Sequence, residues 1–133
     1  MEHKIDKELL DNLTAQAKVS PRLRINYDLR NSAEDTSQRM LNAIEPGSEV
    51  PVHRHQKTSE TVVVLRGRVV EEYYAPDGTL EASYEVSPTV PVYALNIPAC
   101  KWHTLRSLES GTVILEMKDG AYEPIQECDI LRL

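Results

Sequence analysis

Short segments of strand-like sequence, separated by turn residues, follow one another from Gln38 to Lys118 and constrain the fold more than any other feature of the chain. Glycine and proline mark turns between them, as at residues 45–48, 66–68 and 76–78. Many short strands at even spacing predict a mainly β protein, either an antiparallel sandwich or a barrel. The predicted strands are residues 39–44, 49–55, 60–65, 69–75, 80–86, 92–97, 103–108 and 112–118.

The region before these strands has a different pattern. Apolar residues at helical spacing predict a short N-terminal helix over about residues 6–18, capped by Asp6. Alternating apolar and polar residues then predict an extended segment at 22–30, followed by a polar loop at 31–36. With 133 residues and no linker or repeat, we expect one domain, 1–133, whose β-barrel spans about residues 38–118.

The charge balance argues against several classes of partner. The chain has 15 Lys and Arg against 21 Asp and Glu, a formal net charge of −6 at pH 7. This acidic balance argues against nucleic-acid binding through a basic face and against a polybasic membrane anchor. The N-terminus lacks the apolar stretch of a signal peptide, so we expect a cytoplasmic protein in which Cys100 and Cys128 are free thiols.

Three of the four histidines fall in one arrangement with a glutamate. His53 and His55 are two residues apart, which places them on one face of a strand, and Glu60 begins the next predicted strand. His103 lies in a distant strand. Three imidazoles and one carboxylate are a typical ligand set for a divalent transition metal, and we predict that these four residues bind one. The alternative is a set of histidines packed in a polar core. His3 lies outside the pattern.

The spacing around these residues resembles the first motif of the cupin superfamily. Every fixed position of that motif is present, namely Gly47, His53, His55, Glu60 and Gly67. The segment from Pro98 to His103 resembles the second motif, although Cys100 replaces its usual glycine and Ser107 its usual asparagine. The resemblance implies a cupin double-stranded β-helix, or jelly roll, that follows the short N-terminal helix.

A narrower resemblance covers most of the chain. WbuC-type cupin metalloproteins are similar to it in the strings SPRLRINYDLR (20–30), QRMLNAIEPGSEVPVHRH (38–55), LRGRV (65–69), IPACKWHT (97–104) and GAYEP (120–124). That group is associated with bacterial surface-polysaccharide gene clusters, such as those for O-antigen biosynthesis. The resemblance implies a metal inside the barrel and a homodimer, but no particular reaction, because one fold hosts many functions.

The predicted ligands are compatible with several metals and reactions. Histidine and glutamate suit Zn, Fe, Mn, Ni or Co, and the sequence does not choose among them. An ion with an open position could polarise a carbonyl or generate hydroxide, as an isomerase, an epimerase or a lyase requires. Iron could instead bind dioxygen in an oxygenase. No dedicated acid–base pair stands out, so no catalytic residue is assigned.

Five residues are candidate contacts to a small-molecule ligand. Arg22, Arg24 and Asn26 share one face of the extended segment, where an arginine could hold a carboxylate or phosphate bidentately. The alternative is the solvated face of an edge strand. Ser107 falls on the predicted inward face with His103. Cys100 could approach the metal, or it could be a small loop residue.

We therefore expect a metal-binding cupin that acts on a small carbohydrate-related or acidic metabolite. The alternative is a non-catalytic module that uses the same metal to capture or sense a small molecule. A storage or structural jelly roll without metal is a third hypothesis. An open cavity beside the metal would favour the first two.

Overall fold

The computed structural model describes residues 4–133, so His3 lies outside the described part of the chain. Within these residues the elements are α1 (Lys7–Val19), β1 (Arg24–Asp28), β2 (Ser37–Ile44), β3 (Val52–His53), β4 (Glu60–Arg66), β5 (Val69–Tyr74), β6 (Leu80–Val86), β7 (Ala94–Ile97), β8 (Trp102–Ser107), β9 (Val113–Asp119), a 3₁₀ turn (Glu127–Asp129) and β10 (Ile130–Leu131). In this range, no helix has the length and apolar character needed to cross a membrane.

The mainly β prediction is confirmed, and a strand is present in each predicted segment. The largest difference is at 49–55, where β3 is only two residues long. Pro51 has no N–H to donate, which limits the strand at its start. At its other end the Arg54 N–H donates to the Asp129 carbonyl at 3.1 Å, which extends the pairing with β10 by one residue. β10, which pairs with β3, was not predicted because two residues carry no periodic signal.

The helix α1 forms where the sequence predicts it. The Asp6 carboxylate accepts a hydrogen bond from the Leu9 N–H at 3.0 Å, which caps the first turn. Leu10, Leu13 and Ala17 are buried against Leu41 of β2 and its neighbours, on the outer face of one sheet. That sheet therefore buries apolar residues on both faces.

The strands form two five-stranded antiparallel sheets, one in the order β1-β2-β9-β4-β7 and the other in the order β10-β3-β8-β5-β6. The pairs β2–β9, β3–β8, β4–β7 and β5–β6 are nested around the hairpin between β5 and β6. This nesting is the double-stranded arrangement of a jelly roll. No ladder joins the two sheets in the described chain, so the predicted closed barrel is corrected to an open sandwich, with β1, β7, β10 and β6 as edge strands.

The space between the sheets changes character along the strands. At one end it is filled by an aliphatic cluster that includes Ile44, Val64 and Ile114. Residues two apart on a strand share a face, so Glu116 and Lys118 continue the inward face that Ile114 begins. The aliphatic end stabilises the sandwich and leaves the polar end free to hold a site.

Gly67, the last glycine of the first motif, is required by backbone packing. It lies in the turn between β4 and β5 with φ of +86°, and an added Cβ would lie 2.2 Å from Thr112 Oγ1 and 2.6 Å from its Cα. A side chain at this position would collide with rigid backbone as well as adopt a left-handed conformation. This glycine therefore serves the fold.

Candidate metal centre

The four predicted ligands meet at the polar end between the sheets. His53 ends β3, and its Cα is paired with that of His103 on β8. His55 lies beyond β3, and Glu60 is the first residue of β4 in the other sheet. One ligand atom of each residue lies within 4.8 Å of the other three. The topology thus brings together residues that are up to fifty positions apart in the chain.

Two of the histidines have a defined tautomer. The Nδ1 atoms of His53 and His103 each lie 2.8 Å from a backbone carbonyl oxygen, those of Pro51 and Lys101. Because a carbonyl can only accept, each Nδ1 carries the hydrogen and donates it, which leaves the lone pair on Nε2. Metal-binding histidines typically have this backbone partner, since it orients the ring and makes the free nitrogen more basic.

His55 is arranged differently. Its Nε2 lies 3.0 Å from Glu60 Oε2, and its Nδ1 lies 3.3 Å from Lys118 Nζ. A carboxylate accepts, so Nε2 donates to Glu60 in the metal-free protein. Binding of a metal through this Nε2 would require its proton to leave and the Lys118 ammonium to turn from Nδ1. Metal binding would therefore be coupled to a proton shift at His55.

The electrostatics favour ligands in their metal-binding states. Burial lowers the pKa of His53 to about 4, and the neighbouring His103 adds to this effect. Burial also lowers the pKa of His103. Burial alone would raise the pKa of Glu60, but the hydrogen bond from His55 and the nearby positive charges hold it below its usual value. Near neutral pH these two histidines are neutral and the glutamate is ionised.

The donor set fits a divalent transition metal in chemistry and nearly in size. An ion bound at about 2.1 Å places opposite ligand atoms about 4.2 Å apart, slightly closer than the 4.8 Å limit of this group. The ligands of a tetrahedral ion lie about 3.4 Å apart, so such an ion requires a larger inward movement of these side chains than an octahedral one. Three nitrogens and one oxygen are compatible with the metals considered from the sequence and select none of them.

A cavity of about 300 Å³ adjoins the four residues. Arg24 and Asn26, two of the predicted ligand contacts, lie in its wall. Other residues of the wall are Asn42, Glu116 and Lys118 from the first sheet and Tyr122, Glu123 and Ile125 from the C-terminal segment. The site is therefore open to a small molecule next to the four candidate ligands.

Arg24 is held in place by its neighbours. Its Nη1 donates to Ser48 Oγ at 3.1 Å and to the Glu49 carbonyl at 2.8 Å. Burial lowers the pKa of this guanidinium, and Arg22 adds to the effect. Asn26 lies on the same strand and is paired across β1 and β2 with Asn42. Both residues were predicted from the period-two pattern of the extended segment.

The other three predicted contacts do not line this cavity. Arg22 is exposed in the turn before β1. Ser107 Oγ donates to the Glu109 carbonyl at 2.9 Å, within the turn after β8. Cys100 is exposed, its Sγ donates to the Gln56 carbonyl at 3.2 Å, and its φ of +69° is the conformation for which the second motif has glycine. The thiol is outside the group of four ligand residues.

Sequence reasoning missed several residues of the wall. Glu116 and Lys118 lie two apart on β9, and the alternation of that strand could have placed them on the inward face with Ile114. Burial raises the pKa of Glu116 to about 8, and the charge of Glu60 adds to this. The C-terminal segment has no periodic signal. It reaches the cavity because Gln38 Nε2 donates to the Gly120 carbonyl at 2.9 Å.

Two facing sheets in jelly-roll order, with three histidines and a glutamate between them, define a protein of the cupin fold. CapF from Staphylococcus aureus superposes with a TM-score of 0.67 at 20% identity, over 80% of this chain and 30% of CapF. KdgF from Halomonas sp. gives 0.60 at 15% identity, over 78% and 85% of the two chains. Oxalate oxidase gives 0.65 at 16%, over 82% and 57%.

These three structures are all cupin-fold proteins, and at such identities they show the fold alone. The chain spans about 30% of the length of CapF. Residues 5–86 match the model of the family described as domain of unknown function DUF6016, and the chain belongs to this family. No curated protein matches the sequence.

Proposed function

We propose that this protein binds one divalent transition metal through His53, His55, Glu60 and His103 and uses it to act on a small acidic or carbohydrate-related metabolite. The observation that carries the proposal is the convergence of the four ligand atoms, all within 4.8 Å of one another, beside a cavity of about 300 Å³. Pockets of this size bury a small ligand and not a polymer.

The comparisons support a small acidic ligand in a surface-polysaccharide pathway. Oxalate oxidase has been solved with glycolate, CapF with the inhibitor 3-isopropenyl-tropolone, and CapF is described as a capsular polysaccharide assembling protein. The resemblance to WbuC-type cupins points to the same kind of pathway. A homodimer, as that resemblance implies, belongs to the proposal.

Residues of the cavity wall would bind the ligand and exchange protons with it, next to the metal. A bound divalent metal would polarise a carbonyl or lower the pKa of a water molecule. Arg24 and Asn26 would hold and orient the ligand. Glu116, whose pKa burial raises to about 8, carries a proton near neutral pH and is placed to exchange it with a ligand in the cavity.

A second candidate function is capture of a small molecule without turnover. It is favoured by the number of protein ligands, because four close a tetrahedral ion and leave no open position for chemistry. An ion with six-fold coordination would keep two positions for substrate or water. The identity of the metal therefore separates the two functions.

The test is elemental analysis of the purified protein beside a His53→Ala/His55→Ala variant. We expect near-stoichiometric metal in the parent and loss of metal in the folded double variant. The matched control is Cys100→Ser, which lies outside the ligand group and should keep its metal. A parent that carries no metal and takes up none on reconstitution would contradict the proposal.

A further inference from the structure

We infer that the ligand of this cavity is a polyhydroxy carboxylic acid, whose carboxylate is bound by Arg24 and one of whose hydroxyl groups donates to Asn42 Oδ1. This inference rests on the proposed function and narrows its substrate class.

Arg24 is a half-buried cation with no carboxylate oxygen within 4.0 Å in the described chain, and Glu116 is the acidic residue whose charge acts on it. Among the described residues, every arginine except Arg22 and Arg24 lies within 4.0 Å of a carboxylate oxygen. Arg22 is exposed and solvated, whereas Arg24 lies in the cavity wall. In the described chain only Nη1 of Arg24 donates to protein acceptors, so the other edge of the planar guanidinium remains free to bind a carboxylate bidentately.

Asn42 presents an acceptor that the protein does not use. Its side chain is 9% exposed, and its Oδ1 is buried with no hydrogen-bond partner in the described chain. The residue lines the same cavity, and its Cα is paired with that of Asn26, two residues from Arg24 on β1. A buried carbonyl oxygen needs a donor. Before a ligand binds, the protonated Glu116, which hydrogen-bonds the Asn42 side chain, can supply it, and a bound ligand takes its place with an O–H or N–H group close to its carboxylate.

The charge of the cavity selects a hydroxyl group over an ammonium. A divalent ion, Arg24 and Lys118 leave the cavity with a net positive charge even when Glu60, Glu116 and Glu123 are all ionised. A positively charged ligand would be repelled, and an anionic one attracted. A neutral hydroxyl group supplies the hydrogen for Asn42 at no electrostatic cost.

The register of the sheet favours an extended ligand. Glu60 is paired with Lys118, and Lys118 with Gln38, so these residues form one row across the first sheet. Asn42 lies four residues further along β2, about 13 Å along the strand, and Arg24 is paired with Ile44, two residues beyond Asn42. A ligand that extends from the metal towards Arg24 is therefore elongated, and a six-carbon chain covers part of this distance while the long Arg24 side chain covers the rest.

The experiment uses the full chain loaded with the metal found by elemental analysis, and three probes with the same six-carbon chain. Gluconate has a carboxylate and hydroxyl groups, sorbitol lacks the carboxylate, and hexanoate lacks the hydroxyl groups. We expect calorimetry to show gluconate binding at least about 10-fold more tightly than either of the others.

Two variants test the two contacts. Arg24→Gln should weaken gluconate binding by about 10- to 100-fold, while the matched control Arg22→Gln should leave it unchanged. Asn42→Leu should weaken gluconate binding by about 3- to 10-fold without weakening hexanoate binding. Asn42→Asp keeps the acceptor oxygen and should keep the preference for gluconate over hexanoate. Metal content and thermal unfolding are measured for each variant, so that loss of folding is recognised.

Three results would overturn the inference. One is unchanged gluconate binding in Arg24→Gln, because the carboxylate would then be on the metal. Another is that neither gluconate nor any shorter aldonate, down to three carbons, binds to the metal-loaded protein. The third is tighter binding of sorbitol 6-phosphate than of gluconate through Arg24, which would assign a phosphate to that position. Failure of the proposed function is seen separately, because it appears as absence of metal before any probe is added.

Discussion

Two carboxyl groups are buried between the same two sheets and differ in their partners. Glu60, at the start of β4, accepts a hydrogen bond from His55 and has its pKa held below the usual value, although burial opposes this. Glu71, within β5, is 1% exposed, and neither of its carboxylate oxygens has a hydrogen-bond partner in the described chain. Burial raises the pKa of Glu71 to about 9, and the charges of Glu60 and Glu116 add to this.

The difference teaches that partners, and not depth, decide the charge of a carboxyl group in this interior. Glu60 lies among imidazoles at the polar end, where an ionised oxygen can serve a metal. Glu71 is paired in register with Leu105 of the aliphatic cluster and remains protonated. Glu116, whose pKa burial raises to about 8 although it lies at the polar end, follows the same rule.

The largest expected effect comes from replacing each of the two carboxyl groups with an amide in turn. Glu60→Gln should lower metal affinity by more than about 100-fold, because it replaces a ligand carboxylate with a neutral amide. Glu71→Gln makes the same chemical change outside the ligand group and should leave metal affinity unchanged. Titration of the metal-free proteins with a chelator-buffered metal measures both. A similar loss in the two variants would show that Glu71 also supports the metal.

The next effect is on stability against pH. The folded protein keeps the Glu71 proton up to about pH 9, whereas an unfolded glutamate loses it near 4.5, so rising pH favours unfolding across this range. The contribution is about 1.4 kcal/mol per pH unit. Urea denaturation of the metal-free protein between pH 6.5 and 9, above the range in which His53 titrates, should show this slope.

Glu71→Gln should remove the contribution of Glu71 to the fall in the free energy of unfolding with rising pH. The contribution of Glu116, whose pKa is also raised, remains in parent and variant alike. Glu72→Gln is the matched control, because Glu72 is only half-buried and has Arg106 4.0 Å away. Equal slopes for the parent and Glu71→Gln would mean that Glu71 is ionised in the fold.

The polar end was predictable because its signal is local. Three of the four candidate ligands, His53, His55 and Glu60, lie within eight residues, in a spacing that few other functions require. The period of a strand also indicated Arg24 and Asn26. What could not be predicted is the pairing of His53 with His103, because register across strands fifty residues apart depends on the whole fold.

Glu71 shows the limit of the same reasoning. Alternation in β5 requires one of the adjacent residues Glu71 and Glu72 to face inward. Acidic residues are almost always on the surface, however, and no sequence rule identifies a glutamate that is buried without a partner. The roles expected of Cys100 and Ser107 depended on motif positions. Their side chains bind turn carbonyls instead, a local geometry that spacing does not encode.

The smallest expected effect concerns the backbone contact that holds His55 in place. His55 is the hydrogen-bond partner of Glu60, and Glu71 has no equivalent. The Cys100 N–H donates to the His55 carbonyl at 2.7 Å, and Cys100 does so with a φ of +69° that strains a residue with a Cβ. Cys100→Gly should relieve this strain and stabilise the protein by about 0.5 kcal/mol in urea denaturation, after the entropy cost of glycine is subtracted. Cys100→Ala keeps the Cβ and should not stabilise it. Both variants keep the backbone N–H at residue 100 and should keep their metal. Equal stabilisation by Cys100→Ala would show that the thiol, and not the backbone strain, is responsible. Loss of metal in either variant would show that Cys100 contributes to the metal site.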